Sequence, residues 1–90
     1  MTEIECIVYG RVQRVGYRDY VATAAATCGV NGWVKNENNG TVRVCAQGPP
    51  DAIKAFIEYL HEGSVSAVVE RVVVDWQSAT QSYDDFSICS

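Results

Sequence analysis

Three arginines, Arg11, Arg14 and Arg18, fall within eight positions of a segment that also carries glycine at positions 10 and 16. The segment reads Gly10-Arg11-Val12-Gln13-Arg14-Val15-Gly16-Tyr17-Arg18. It lies between a strand-like run, Ile4 to Tyr9, and a helix-like run, Asp19 to Cys28. A strand, a glycine-bearing turn and a helix build an anion site. The turn amides converge on one point, and the helix N-terminus adds partial positive charge. A cation such as Arg18 in the first helical turn opposes the macrodipole by about 0.3–1 kcal/mol. An anion held between Arg18 and the loop amides reverses that penalty. The residues therefore point to a phosphate or carboxylate pocket.

The other reactive side chains do not assemble into a competing site. Cys6, Cys28, Cys45 and Cys89 lack the C-x-x-C spacing of a zinc site. Each lies in an apolar setting, so they read as free, partly buried thiols of a reducing cytosol. His61, the sole histidine, sits near the C-terminus of a helix-like run. A helix end favours a cation there without any catalytic role. Asp19 is the only acid beside the loop, so no carboxylate cluster for Mg²⁺ is expected, and no metal or cofactor.

Ninety residues, 48% of them hydrophobic, supply one core and a single domain, 1–90. The apolar runs are far shorter than a membrane span. The opening Met1-Thr2-Glu3-Ile4-Glu5 lacks the basic and apolar regions of a secretory signal. A cytoplasmic protein with no membrane partner is expected. The net charge of −4 disfavours general nucleic-acid binding, which needs clustered cations to neutralise phosphates. It leaves room for one small anion site, because local charge can oppose net charge.

The elements that position the loop follow from periodicity and turn residues. Ile4 to Tyr9 is predicted as the first strand. The first helix carries an apolar stripe of Tyr20, Val21, Ala24, Ala25 and Cys28, and Gly29 stops it. Asn31 to Asn36 is the second strand. Asn39-Gly40 turns the chain, and Thr41 to Gln47 returns as the third strand. Pro49-Pro50-Asp51 opens a second helix with a stripe of Ile53, Phe56, Ile57 and Leu60, closed by His61 and Gly63. Ala67 to Trp76 is a valine-dense fourth strand, Gln77 to Tyr83 a polar loop, and Asp84 to Cys89 a short last strand.

This order predicts an α+β fold, βαββαβ with a short C-terminal strand. Two right-handed crossovers joined by a hairpin give a ferredoxin-like sandwich, with an antiparallel sheet and two helices on one face. Strands one and three are then central, adjacent and antiparallel. If Gly10 pairs near Thr41, Cys6 and Cys45 face each other within disulfide reach.

With these residues in place the chain resembles the acylphosphatases. Gly10 to Arg18 is similar to that family's G-x-V-Q-G-V-x-[FY]-R loop. Gly32-Trp33-Val34-Lys35-Asn36, followed by Gly40-Thr41-Val42 and Gly48, is similar to its G-[FYW]-V-[KR]-N-x-x-x-G-x-V-x5-G stretch. The resemblance implies a hydrolase of the carboxyl–phosphate bond in acyl phosphates. It implies that Arg18 binds the phosphate, that Asn36 orients the attacking water, and that Gln13, Arg14, Val15, Gly16 and Tyr17 form an amide cradle. Read without it, Asn36 is a strand-end residue ahead of a turn. One position departs from the pattern: Arg14 stands where the family usually has glycine. If that position has positive φ, a side chain there costs on the order of 1 kcal/mol or more.

The expected function is a monomeric, metal-independent acylphosphatase acting on a small-molecule acyl phosphate. The alternative is a weakly active or non-catalytic anion-binding relative, its loop spoiled by Arg14. An RNA-binding module of the same topology needs a basic face and sheet aromatics, which the charge and the third strand do not offer. The acylphosphatase-like domain of larger carbamoyl-transferring maturation proteins shares a similar loop. A 90-residue chain ending just after its last strand is expected to be free-standing.

Overall fold

A computed structural model describes residues 1–79 and 81–90. The elements run β1 (Thr2–Arg11), α1 (Tyr17–Cys28), β2 (Asn31–Asn36), β3 (Val42–Gly48), α2 (Pro50–Glu62), β4 (Val68–Ser78) and β5 (Phe86–Cys89). They form one five-stranded sheet in the order β4-β1-β3-β2-β5. The four longer strands pair antiparallel, as the sequence predicts, with β1 beside β3. The short β5 adds to β2 in parallel, so the whole sheet is mixed.

Alternation along the strands separates two faces. Ile4, Cys6 and Val8 of β1 stand opposite Ala46, Val44 and Val42 of β3. All six are fully buried under the helices. The stripe of α2 supplies Ile53, Phe56 and Leu60 to the same core, and α1 supplies Tyr17, Val21, Ala24 and Ala25. Phe86 of β5 meets Phe56 edge to face, with ring centroids 5.9 Å apart. Fully burying a side chain of this kind contributes roughly 1.5–3 kcal/mol. The register is offset by one residue from the sequence expectation: Cys6 pairs with Val44, and Cys45 with Glu5. Strand side chains alternate with period two, so one residue of offset puts the two thiols on opposite faces. Both are free, as are Cys28 and Cys89.

Boundaries differ where packing overrides local signals. Helix α1 starts at Tyr17 rather than Asp19, because Tyr17 is buried and its hydroxyl donates to the Leu60 carbonyl at 2.8 Å. Strand β4 extends through Gln77 and Ser78, two residues into the predicted loop, paired with Glu3 and Thr2. Of the rest of that loop, Thr80 lies outside the described residues. No helix among the described residues is long and apolar enough to cross a membrane.

Strand direction fixes where a site can form. Both β1 and β2 run antiparallel to β3, and β5 runs parallel to β2. The three therefore end at the same edge of the sheet, at Arg11, Asn36 and Cys89. Helix α1 begins at that edge, one short loop after β1.

Candidate active site

The loop between β1 and α1 has a backbone that few side chains tolerate. Arg14 has φ 62°, the sole positive φ at a non-glycine among the described residues, and Gly16 has φ 74°. For an L-residue other than glycine the left-handed region costs roughly 1–2 kcal/mol. Val15 stands between them at ordinary φ. Such alternation curls successive N–H groups into an anion-binding concavity. Gly16 is also the N-cap of α1, with no capping side chain. Among the described residues, no backbone carbonyl outside the helix takes the N–H of Arg14, Val15 or Gly16. The first helical amides are likewise uncapped, so the N-terminal partial charge of α1 is left unanswered by the protein.

Side chains brace this loop from three directions. Gln13 donates its amide to the carbonyls of Glu37 (2.8 Å) and Thr41 (2.9 Å), stitching the loop to the β2–β3 hairpin. Ser64 Oγ donates to the Val15 carbonyl at 3.0 Å. Tyr17 is anchored to α2 as described, and burial, with Tyr20 nearby, pushes its phenol above its ordinary range. The hairpin has its own turn chemistry: Asn39 Oδ1 accepts from the backbone N–H (3.1 Å) and hydroxyl (2.6 Å) of Thr41, and Gly40 has φ 92°. Loop, hairpin and helix start are thus held as one unit.

A cavity of about 180 Å³ opens there, lined by Val12, Arg14, Gly16, Tyr17, Arg18, Asp19, Asn36 and Ile88. That is room for a phosphate group. Arg18 is held by one bond, from Nη1 to the Cys89 carbonyl of β5 at 2.8 Å. A neutral carbonyl leaves the guanidinium charge uncompensated and most of its five donors unspent. Asn36, at the end of β2, carries a buried Oδ1 with no hydrogen-bond partner among the described residues. A buried acceptor left unpaired costs about 1–3 kcal/mol, and Asn36 lines the same cavity as Arg18.

Five of the residues singled out from the sequence, Arg14, Gly16, Tyr17, Arg18 and Asn36, line the cavity. Gln13 and Val15 do not. The Gln13 amide is spent on the hairpin, and the Val15 side chain packs against the core. Ile88 and the Cys89 carbonyl were missed. The alternation of β5 was readable, but its parallel pairing with β2, which carries Ile88 beside Arg18, was not. His61 is exposed in the last turn of α2, away from the cavity. Among the described residues, no three His, Cys, Asp or Glu side chains gather as a metal site.

Comparison with known proteins adds a separate line of evidence. The family model described as Acylphosphatase matches residues 4–88. An acylphosphatase of Salinibacter ruber is 44% identical over 81 residues, 90% of this chain and 85% of that one. One of Dehalococcoides mccartyi is 41% identical over 86 residues, 94% of each chain. The crystal structure of acylphosphatase from Bacillus subtilis superposes with a TM-score of 0.97 at 36% identity, over the whole of both chains.

Proposed function

Because this chain belongs to the acylphosphatase family, we propose that it hydrolyses the carboxyl–phosphate bond of acyl phosphates without a metal, by in-line attack of water held at Asn36. One observation carries the reading. An uncompensated arginine, the uncapped start of α1 and the Asn36 amide converge on a single cavity.

The chemistry suits these groups. The leaving carboxylate has a conjugate-acid pKa of about 4, like a glutamate, and departs without a proton. No general acid is then needed. The bond from phosphorus to the acyl oxygen breaks as that from phosphorus to the water oxygen forms. The products are a carboxylate, inorganic phosphate and one proton. Positioning and charge stabilisation supply most of the acceleration. In this reading Arg18 grips two phosphate oxygens with its planar fork. The N–H groups of residues 14–18 take the others and tighten as charge shifts in the transition state. The Asn36 side-chain amide holds the water in line without deprotonating it. Val12 and Ile88 offer an apolar wall to the acyl group. The protein acts as one domain and as a monomer in the cytoplasm, with neither nucleic acid nor membrane as partner.

Hydrolysis of benzoyl phosphate in excess EDTA tests the reading. Turnover by the wild type that EDTA leaves unchanged and Arg18→Ala lowers about 10³-fold is the expected result. A folded wild type that releases no phosphate, or an Arg18→Ala variant that works as well, overturns it.

A further inference from the structure

Arg14 is placed against its own backbone. It holds a left-handed φ where glycine would sit without strain. Its side chain is exposed, yet among the described residues it makes no ion pair and no side-chain hydrogen bond. It contributes little to the fold, and it lines the cavity. The other charged residues there differ. Arg18 is anchored to β5. Asp19 lies in the first turn of α1, where the helix N-terminus favours an acid. Arg14 alone has no structural reason to be at this position. Strain kept at a site over-determined by its surroundings points to function.

The position says what kind. Arg18, the loop amides and the helix start already suffice for one phosphate. The chain carries a net charge of −4, and among the residues lining the cavity Arg14 is the cation left over once Arg18 holds the phosphate. We infer that Arg14 forms a second anion subsite, selecting acyl phosphates whose acyl chain bears a further carboxylate or phosphate. This deepens the proposed function and rests on it. The subsite recognises charge at the far end of the substrate and takes no part in bond cleavage, so Arg14 is a specificity residue. Being exposed, its attraction is modest and screened by salt.

Binding of phosphonates separates this from turnover. Propylphosphonate, 3-phosphonopropionate and propane-1,3-bisphosphonate are titrated calorimetrically into wild type, Arg14→Lys, Arg14→Asn and Arg14→Gly. Asparagine tolerates the left-handed region but carries no charge. The wild type is expected to favour at least one doubly anionic ligand over propylphosphonate by about 5-fold. The preference shrinks in 0.5 M salt, persists in Arg14→Lys, and vanishes in Arg14→Asn and Arg14→Gly. Which doubly anionic ligand is favoured names the second group. The melting temperature follows the backbone instead, highest for Arg14→Gly. An equal preference in wild type and Arg14→Asn, or no phosphonate binding by the wild type, overturns the subsite. A charge-dependent preference in a protein that fails to hydrolyse benzoyl phosphate sinks the catalytic reading and leaves the anion subsite standing.

Discussion

Arg18 and Arg43 are on opposite sides of one sheet and are treated in opposite ways. On the open face Arg43 meets Glu5 at 2.7 Å and Glu37 at 3.0 Å. On the helix side, among the described residues, Arg18 meets only the Cys89 carbonyl. The amides repeat the contrast. Gln47 is spent in full: Nε2 donates to Glu3 (2.7 Å) and to the Gln81 carbonyl, and Oε1 accepts from the Tyr83 N–H at 3.1 Å. Asn36 Oδ1 accepts from nothing. The open face is a finished network that holds the 81–83 segment over β3. At the loop end a guanidinium and a buried acceptor lack charged or donating protein partners among the described residues. A side chain's type does not separate the two regions; the hydrogen-bond partners it meets do.

The largest expected effect tests the arginines. Arg18→Ala should lower kcat/KM for benzoyl phosphate about 10³-fold, the scale of losing a charged transition-state donor. Arg43→Ala should stay within about two-fold and cost no more than about 1 kcal/mol of stability, since its ion pairs are partly exposed. Equal losses in steady-state assays would break the comparison.

The amides come next. Asn36→Ala should lower kcat about 10²-fold with little change in KM. Urea denaturation should show it as stable as wild type or more so, because a buried unpaired acceptor has gone. Gln47→Ala should do the reverse. It keeps its turnover and loses about 1.5–3 kcal/mol, because Glu3 is left buried without its donor.

Gln13 links the two behaviours, since it is spent like Gln47 yet belongs to the loop. Gln13→Ala should cost about 1–2 kcal/mol and lower kcat/KM about 10-fold, by loosening the loop from the hairpin next to Asn36. A stability loss with unaltered kinetics would place it with the open face.

Away from the catalytic question, the two faces also differ in what they bury, and pH reads it. Burial pushes the Cys6 thiol up to about 12 and the Cys45 thiol up to about 11, from an ordinary value of 9.0. A folded-state pKa raised above the unfolded one gives stability that is complete below pH 9. It is lost as pH rises toward these values, because unfolding then releases protons. Stability measured in urea should decline above pH 9, and less steeply in Cys6→Ala. A profile independent of pH from 9 to 11 would count against buried thiols on either face.

Much of this was legible in one dimension. Glycines at 10 and 16 mark a loop, the stripes of α1 and α2 mark their buried faces, and Asn39-Gly40 marks the hairpin. Each signal is local: a turn residue or a periodicity acts within a few positions of itself. The motifs extended that reading to Arg18 and Asn36 as members of one site. What lay beyond reach was set by distance in the chain. The β1–β3 register is decided by how the helices cover Ile4, Cys6 and Val8, and a shift of one residue separated Cys6 from Cys45. The parallel docking of β5 on β2 brought Ile88 and the Cys89 carbonyl to a loop some seventy residues away. The positive φ of Arg14 belongs to a loop braced by Gln13, Ser64 and Tyr17 together. The sequence by itself determined the elements, the loop and the side chains it carries, because those rest on local backbone preference and side-chain type. Only the tertiary structure decided which of those side chains were spent and which were left open, because hydrogen-bond partners and burial come from segments that meet only on folding.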